Sequence, residues 1–404
     1  MTGGALDHRR TETRSAPDGG PIRVLFVNPG TDTRGGAERS LLGLLDGLDR
    51  TAVVPSAVVL GEGSLVDELR ARDVRTTSLP LGFRAGASHH GLVQRAGAAG
   101  ATSRSLIRAA SAVRDAIGQT GAQIVHTNGM RAHVLLPAVR RRGVATVASI
   151  RELPRSQAEA LALRGVLRSA DVVVANSDYV RRRLPAARTI RVIDNSIATP
   201  KCADPLEARA ELGIPPDAIA VAMLVHFHPA KGHLDLLRAV EPLDNVWVIL
   251  AGGDLYGRVS TDYRDEVVAF VRSRGFHHRL RCLGGVDDIG PVYGAADMVA
   301  HCSVMLETFG RTLVEAMLAG KPVIASAAGA PGEFVASGRN GFLYPPGDVA
   351  ELRARIVQLA SSAELRESLA RVALEDLGPR FTPAAHATQV LALYAELVTG
   401  PRAV

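Results

Sequence analysis

Short, nearly continuous apolar runs rich in β-branched residues recur along this chain. In the first half they cover 23–28, 53–60, 123–126, 145–150, 172–176 and 190–193; in the second, 219–225, 246–251, 280–284, 298–302 and 322–326. Runs of this kind suit parallel strands covered on both faces. Between them the period lengthens to that of a helix: Leu41, Leu44, Leu45 and Leu48 fall at i, i+3, i+4 and i+7 on one face. A repeated βα unit predicts doubly wound α/β sheets, and two sets of runs predict two Rossmann-like domains. Pro200, Pro205, Pro215 and Pro216 crowd the stretch 194–217 and place the seam there. The expected division is a first domain over 21–196, a second over 197–382, and a last helical stretch within 383–404. Residues 1–20 are polar and Gly-rich with no apolar core of a signal peptide, and read as a disordered tail.

At 404 residues, with 47% apolar and 22% charged residues, the chain has the material for two cores and the composition of a soluble globular protein. No apolar run reaches the roughly 18 residues of a membrane span. Its cysteines, Cys202, Cys282 and Cys302, are odd in number and lack metal-ligand spacing, which fits a reduced, cytoplasmic compartment. The net charge of +6 is concentrated in Arg140-Arg141-Arg142 and Arg181-Arg182-Arg183. Both runs follow helical patterns, so they suit either solvated helix ends or a peripheral contact with anionic lipid at the inner membrane face. Aromatic residues make up only 4% and are not interleaved with the basic ones, so nucleic acid is not an expected partner.

The candidate chemistry centres on Glu307-Thr308-Phe309-Gly310-Arg311-Thr312-Leu313-Val314-Glu315. The pattern is a loop entering a helix near Gly310 and ending at Gly320, with Pro322 forbidding continuation. The leading N–H groups of such a helix lack internal partners and suit a phosphate, while Glu307 and Glu315 flank it with acceptors for hydroxyls. After the first strand, Gly35-Gly36 opens a helix; the pair serves either a tight turn or close approach to a ligand, and its spacing matches neither a dinucleotide fingerprint nor a P-loop. His226-Phe227-His228-Pro229-Ala230-Lys231-Gly232-His233 follows the strand at 219–225. Its histidines suit strand-end packing or anion contact, and they lack metal-site spacing. The chain has no Asp-x-Asp pair to hold a cation.

The ordered run from Ala296 to Asp348 resembles glycosyltransferase family 4, retaining enzymes of the GT-B fold with an E-x7-E motif. The matching residues are Ala296-Asp297, Ser303, Glu307, Phe309-Gly310-Arg311-Thr312, Glu315-Ala316-Met317, Gly320-Lys321-Pro322-Val323, Gly338-Arg339-Asn340-Gly341-Phe342-Leu343 and Pro345-Pro346-Gly347-Asp348. Gly35-Gly36-Ala37-Glu38 and Lys231-Gly232 are similar to two further family segments. The resemblance implies two Rossmann-like domains facing a central cleft, with the last helix crossing back to the first domain. It implies transfer of a sugar from a nucleotide-sugar to an acceptor hydroxyl, without a metal or other cofactor, the acceptor being lipid-linked or a small metabolite.

By the same resemblance Glu307 takes sugar hydroxyls and Glu315 the ribose hydroxyls. Lys231 and the N–H groups of Phe309, Gly310 and Arg311, with Thr312 beside them, hold the donor diphosphate. Gly35 and Gly36 border that phosphate, and Glu333 contacts the donor from the turn at 328–333. His226 stands where the family carries an arginine, and a neutral imidazole is a poorer phosphate ligand than a guanidinium. On the acceptor side the resemblance points to His126, Asn128 and Arg151. His126 suits an acceptor ligand or a core histidine equally, and Arg151 suits an acceptor contact or an ion pair with Glu152. Two other readings share the fold: a nucleotide-sugar epimerase or phosphorylase, and a non-catalytic nucleotide-sugar-binding protein.

Overall fold

The computed structural model describes residues 20–80 and 99–400, apart from Thr31, Arg34, Arg155, Tyr256 and the side chains of 99–103 and Ala158. The expected tail, Gly20 excepted, lies outside the described residues. The first sheet holds β1 (Ile22–Asn28), β2 (Val53–Val59), β3 (Arg75–Ser78), β4 (Ile124–Asn128), β5 (Ala145–Ile150), β6 (Val172–Ala175) and β7 (Ile190–Val192). The second holds β8 (Ile219–Leu224), β9 (Val246–Ala251), β10 (Leu280–Gly284), β11 (Met298–His301), β12 (Val323–Ser326) and β13 (Phe342–Tyr344). Their orders are β3-β2-β1-β4-β5-β6-β7 and β10-β9-β8-β11-β12-β13, every pairing parallel. These are the two doubly wound sheets expected from the apolar runs, and they face one cleft.

Two strands escape the apolar-run criterion, and both are edges. β3 reads Arg-Thr-Thr-Ser with alternating exposure, and β13 is three residues long. β3, at an edge, is covered on fewer sides and needs no continuous apolar run, whereas β13 is apolar (Phe-Leu-Tyr) but too short to stand out. The interior strands are buried along nearly their whole length, as in Ala145–Ile150.

The helix Gly36–Gly47 buries Leu41, Leu44 and Leu45 against the first sheet, and Leu48 follows as its C-cap. The last helix, Pro383–Thr399, starts with Thr382 capping the Ala385 N–H and proline at its first turn, a favourable opening. Its Ala387, Val390, Leu393, Tyr394 and Val398 sit in the same core as Ile22, Phe26 and Leu45, so this helix belongs to the first sheet. The chain therefore crosses between the sheets twice, and the two crossings are tied together. Arg380 grips Asp194 through two bonds of 2.7 and 3.1 Å, and the Ile197 N–H donates to the Phe381 carbonyl. Among the described residues no helix is long and apolar enough to cross a membrane.

Candidate functional site

Strand ends of the second sheet place the central pair. After β8 the chain makes a turn at Pro229–Lys231, opened by His228, whose Nδ1 accepts the Ala230 N–H at 3.1 Å. Gly232 closes it at φ 74°, where a Cβ would lie 2.0 Å from the Cys302 carbonyl oxygen. Only glycine lets the Lys231 turn pack this closely against the end of β11. Glu307 is fixed from the other side: its N–H donates to Ala328 and its carbonyl accepts from Ala330, both at 2.9 Å. Gly329, at φ 96°, sits so near this backbone that a Cβ would meet the Glu307 oxygen at 2.2 Å. Between these two tight turns the Lys231 ammonium donates to the Glu307 carboxylate, and both side chains are largely buried.

Burial by itself would raise the Glu307 carboxyl; Lys231 and the nearby His301, with hydrogen bonds from Lys231 and Ser303, outweigh it and hold it down to about 2. His301 lies 3.9 Å from the same carboxylate, and its buried Nδ1 has no hydrogen-bond partner. Next to the pair begins the helix Arg311–Leu318, with Gly310 as N-cap and no side chain capping it. Its leading N–H groups are therefore available to an anion. Lys231, His301, Ser303 and Thr312 line a small cavity at this point. Glu315, one turn in, is buried and bonded to Arg311 at 3.3 Å. Phe309 contributes backbone only: its ring is buried against Phe334 and Phe381, with centroids 4.9 and 5.8 Å away. The helix ends at Ala319, with Gly320 at φ 69° and the Lys321 N–H returning to the Ala316 carbonyl, the cap expected from the sequence.

His226, half-buried, feels the charges of Lys231 and Glu307 and is pushed down to about 4 by burial first and then by Lys231 and His228. With no anion bound it is neutral at pH 7. His233 is packing, buried and stacked on Phe227 at 4.8 Å.

The first domain meets this site directly. Thr308 donates its hydroxyl to the Arg151 carbonyl at 2.8 Å, and Ser177 donates to the Thr308 carbonyl at 2.6 Å. Arg311 donates to the Ser196 carbonyl at 3.0 Å and packs against Gly36, the first residue of the helix Gly36–Gly47. Consecutive strand ends of the first sheet carry a polar row: Asn28, Asn128, Arg151, Asn176 and Asn195. The Arg151 guanidinium is pinned by Asn128 at 2.7 Å and by Asn195, rather than by an ion pair with Glu152.

Glu333 and Asn128 are engaged otherwise than expected, and His126 takes the core position, one of its two readings. The Glu333 carboxylate accepts the Asp178 N–H at 2.9 Å and the Tyr179 N–H, so beside the N-cap Ser177 it serves as a second cap of the helix Asp178–Arg183 and clasps the two domains. Both nitrogens of His126 are occupied, by the Tyr394 hydroxyl at 2.5 Å and Ser149 at 2.6 Å, which makes it a core histidine with no atom left for an acceptor. Asn128 spends its amide on Asn28 and the Ala37 carbonyl and its oxygen on Arg151, so it positions Arg151 and does not face the cleft itself. The run Arg181–Arg183 ends a helix, with Arg181 and Arg182 on Asp178 and Arg183 over the Tyr179 ring. That is the solvated-helix-end alternative. Among the described residues no three His, Cys, Asp or Glu side chains converge as a metal ligand set.

Replacing Glu333 by alanine therefore separates a clasp from a donor ligand. A lost helix cap costs roughly 1 kcal/mol, so thermal stability is expected to fall modestly while nucleoside diphosphate affinity stays within about twofold of the parent. A tenfold loss of that affinity contradicts the capping role.

The buried imidazoles set an acid limit. His126 and His133 are pushed down to about 3, and His226, His233 and His386 to about 4, burial being the first cause in each. Unfolded, all titrate near 6.5. Between about pH 7 and pH 4 the unfolded chain binds protons that the folded chain refuses, so stability falls as pH falls. Tm is expected to drop continuously across that window and to be nearly flat above it; a Tm unchanged from pH 7.5 to 5 contradicts this.

The comparisons with known proteins agree with the geometry. Residues 34–200 match Glycosyltransferase Family 4 and residues 205–376 match Glycosyl transferases group 1. The lipopolysaccharide core biosynthesis glycosyltransferase LpsE of Rhizobium meliloti is 29% identical over 53% of this chain and 61% of its own. The D-inositol 3-phosphate glycosyltransferase of Corynebacterium efficiens is 30% identical over 61% of this chain and 62% of its own. The matches thus span about three fifths of these relatives' lengths. Anabaena HepE, solved in complex with UDP-glucose, superposes with a TM-score of 0.78 at 25% identity, over 93% of this chain and 100% of that one. Sucrose-phosphate synthase from Thermosynechococcus elongatus, at 21% identity and a TM-score of 0.75, shares the fold over 94% of this chain and 100% of its own.

Proposed function

The chain belongs to the GT-B glycosyltransferases, its halves to family 4 and group 1, and from that premise we propose that it is a retaining, metal-independent enzyme moving a sugar from a nucleotide-sugar to an acceptor hydroxyl. One observation carries the reading. Lys231 and Glu307 are held together at the open N-terminus of the helix that bears Glu315. A diphosphate fits between Lys231 and the free N–H groups, with sugar hydroxyls reaching Glu307 and ribose hydroxyls reaching Glu315. The UDP-glucose complex of HepE supports a UDP-sugar as the donor class.

In the proposed reaction the bond from the sugar's anomeric carbon to the phosphate oxygen breaks, its electron pair staying on phosphate. Lys231 and the N–H groups of residues 309–311 stabilise that charge, in the manner of preorganised oxyanion donors. The acceptor oxygen bonds to the same face of the sugar, and its proton passes to the departing phosphate. Arg151 faces the acceptor from the first domain. The acceptor is a lipid-linked intermediate or a small metabolite, and the exposed Arg141 and Arg142 are the residues that would meet an anionic membrane surface.

The test is a product assay with nucleotide-sugars and candidate acceptors, with and without EDTA. Transfer with retained anomeric configuration, unaffected by EDTA, supports the reading. Isomerised nucleotide-sugar, free sugar phosphate, or binding without turnover each points to another reading of the same fold. A trapped covalent glycosyl-enzyme contradicts same-face transfer.

A further inference from the structure

We propose that the seam of the two domains carries a second anion subsite, in which Arg39, Arg151 and Arg311 converge on one phosphate- or carboxylate-class group. The inference rests on the proposed cleft function, since it names a ligand group of that same cleft.

Arg39 and Gly36 share the first turns of one helix, and Arg311 comes from the other domain to pack on Gly36, where a Cβ would stand 3.1 Å from its Cδ. Arg311 is fixed by Ser196 and Glu315. Arg151 is fixed through Nε and Nη1 by Asn128 and Asn195. Those two amides are themselves held, Asn128 by Asn28 and Asn195 by Ser40. The network orients both guanidiniums; Arg151 is held by uncharged amides alone, while Arg311 shares its charge with Glu315. Arg39 is exposed, and its side chain has no hydrogen-bond or ion-pair partner among the described residues.

Arg311 is the link between the other two cations. Arg311 is lowered by burial first and also by Arg39, and Arg151 is lowered to about 10 by burial and then by Arg311. Facing them are Glu315, bonded to Arg311, and Glu38, bonded to Asn28 and raised by burial. Three like charges gathered around two carboxylates leave an excess of positive charge at the seam, with Arg39 on its solvent side. An arginine fork suits a phosphate or carboxylate in two-point contact. The neutral His226 on the other wall gives the same seam a further use, because the donor diphosphate draws only one side-chain cation, Lys231, from the loop after β8.

Two sources supply such a group: the donor diphosphate, or an anionic acceptor. Calorimetric titrations at constant ionic strength, using a nucleoside diphosphate and inorganic phosphate as probes, distinguish them in the full chain. Arg39→Ala is the variant, and its exposed side chain makes folding loss unexpected; a melting curve checks that. Arg188→Ala removes the same charge from an exposed loop before β7, at the opposite ends of the strands, and serves as control.

If the subsite holds the diphosphate, Arg39→Ala weakens the nucleotide about tenfold and phosphate competes with it. If it holds an acceptor group, nucleotide affinity is unchanged, phosphate still binds the nucleotide-saturated protein, and Arg39→Ala weakens that phosphate about tenfold. A change of threefold or more in either affinity, beyond the control, supports the subsite. A smaller change in both overturns it. In that case intact nucleotide binding would leave the transferase reading standing.

Discussion

Replacing Lys231 by alanine is expected to lower kcat about 10²–10³-fold, the loss typical of removing one preorganised donor from a developing oxyanion. The expectation follows from placement. Gly232 holds the Lys231 turn against β11, the helix N-terminus lies beside it, and His226 on the same loop is neutral at pH 7 with no anion bound. Little else on this loop can replace the lost charge. The substitution also leaves Glu307 buried without its cation. Burial is the largest influence on that carboxyl and Lys231 the largest opposing one. In the variant the carboxyl's affinity for protons therefore rises, so its residual activity should gain a dependence on pH, in the acid range, that the parent lacks. A kcat within threefold of the parent, in a variant with normal melting behaviour, removes Lys231 from the site.

The second large effect belongs to Glu307→Gln, and it divides by ligand. With no donor bound, the Glu307 carboxylate holds the Lys231 ammonium, so a diphosphate must draw the lysine away from it. The amide releases that hold. Affinity for the bare nucleoside diphosphate is expected to stay equal or to increase, by up to about tenfold. Turnover should fall about 10–100-fold, because charge-assisted bonds to the sugar are worth roughly 1.5–3 kcal/mol. Paired titration and kinetic assays check both halves. Loss of nucleotide affinity alongside turnover contradicts the division of labour between Lys231 and Glu307.

The same pair carries a folding consequence at low pH. Glu307 has its folded value depressed from 4.5 to about 2. Its share of stability is complete above about pH 4.5 and is lost as pH falls toward 2. This loss adds to that of the buried histidines, which begins higher, near pH 7.

How far the sequence announces this arrangement depends on how local each feature is. Glu307 and Glu315 lie eight positions apart across one loop and one helix turn, and Lys231-Gly232 follows directly on a strand, so their setting is written in adjacent residues. The interior strands announce themselves because both their faces are buried. β3 does not, since this edge strand is polar and half-exposed, and β13 does not because its apolar run is only three residues long. What stays hidden is pairing at a distance. Nothing near Glu333 shows that its carboxylate caps a helix 155 positions earlier, and nothing near His126 shows that Tyr394 will occupy its Nδ1 from 268 positions away. His301 hides inside an apolar strand run, and Arg39 reads as an ordinary solvated helix residue until Arg311 arrives from the other domain.

The central claim is that one cleft takes a nucleoside diphosphate between Lys231, the Gly310 helix end and Glu315. It is tested most directly by titrating the protein with UDP, GDP, ADP, dTDP and CDP, beside Lys231→Ala and Glu315→Ala. The account predicts one clearly preferred nucleotide, weakened by about tenfold or more in each variant and indifferent to EDTA. Failure of all five to bind, or binding that neither substitution weakens, contradicts it.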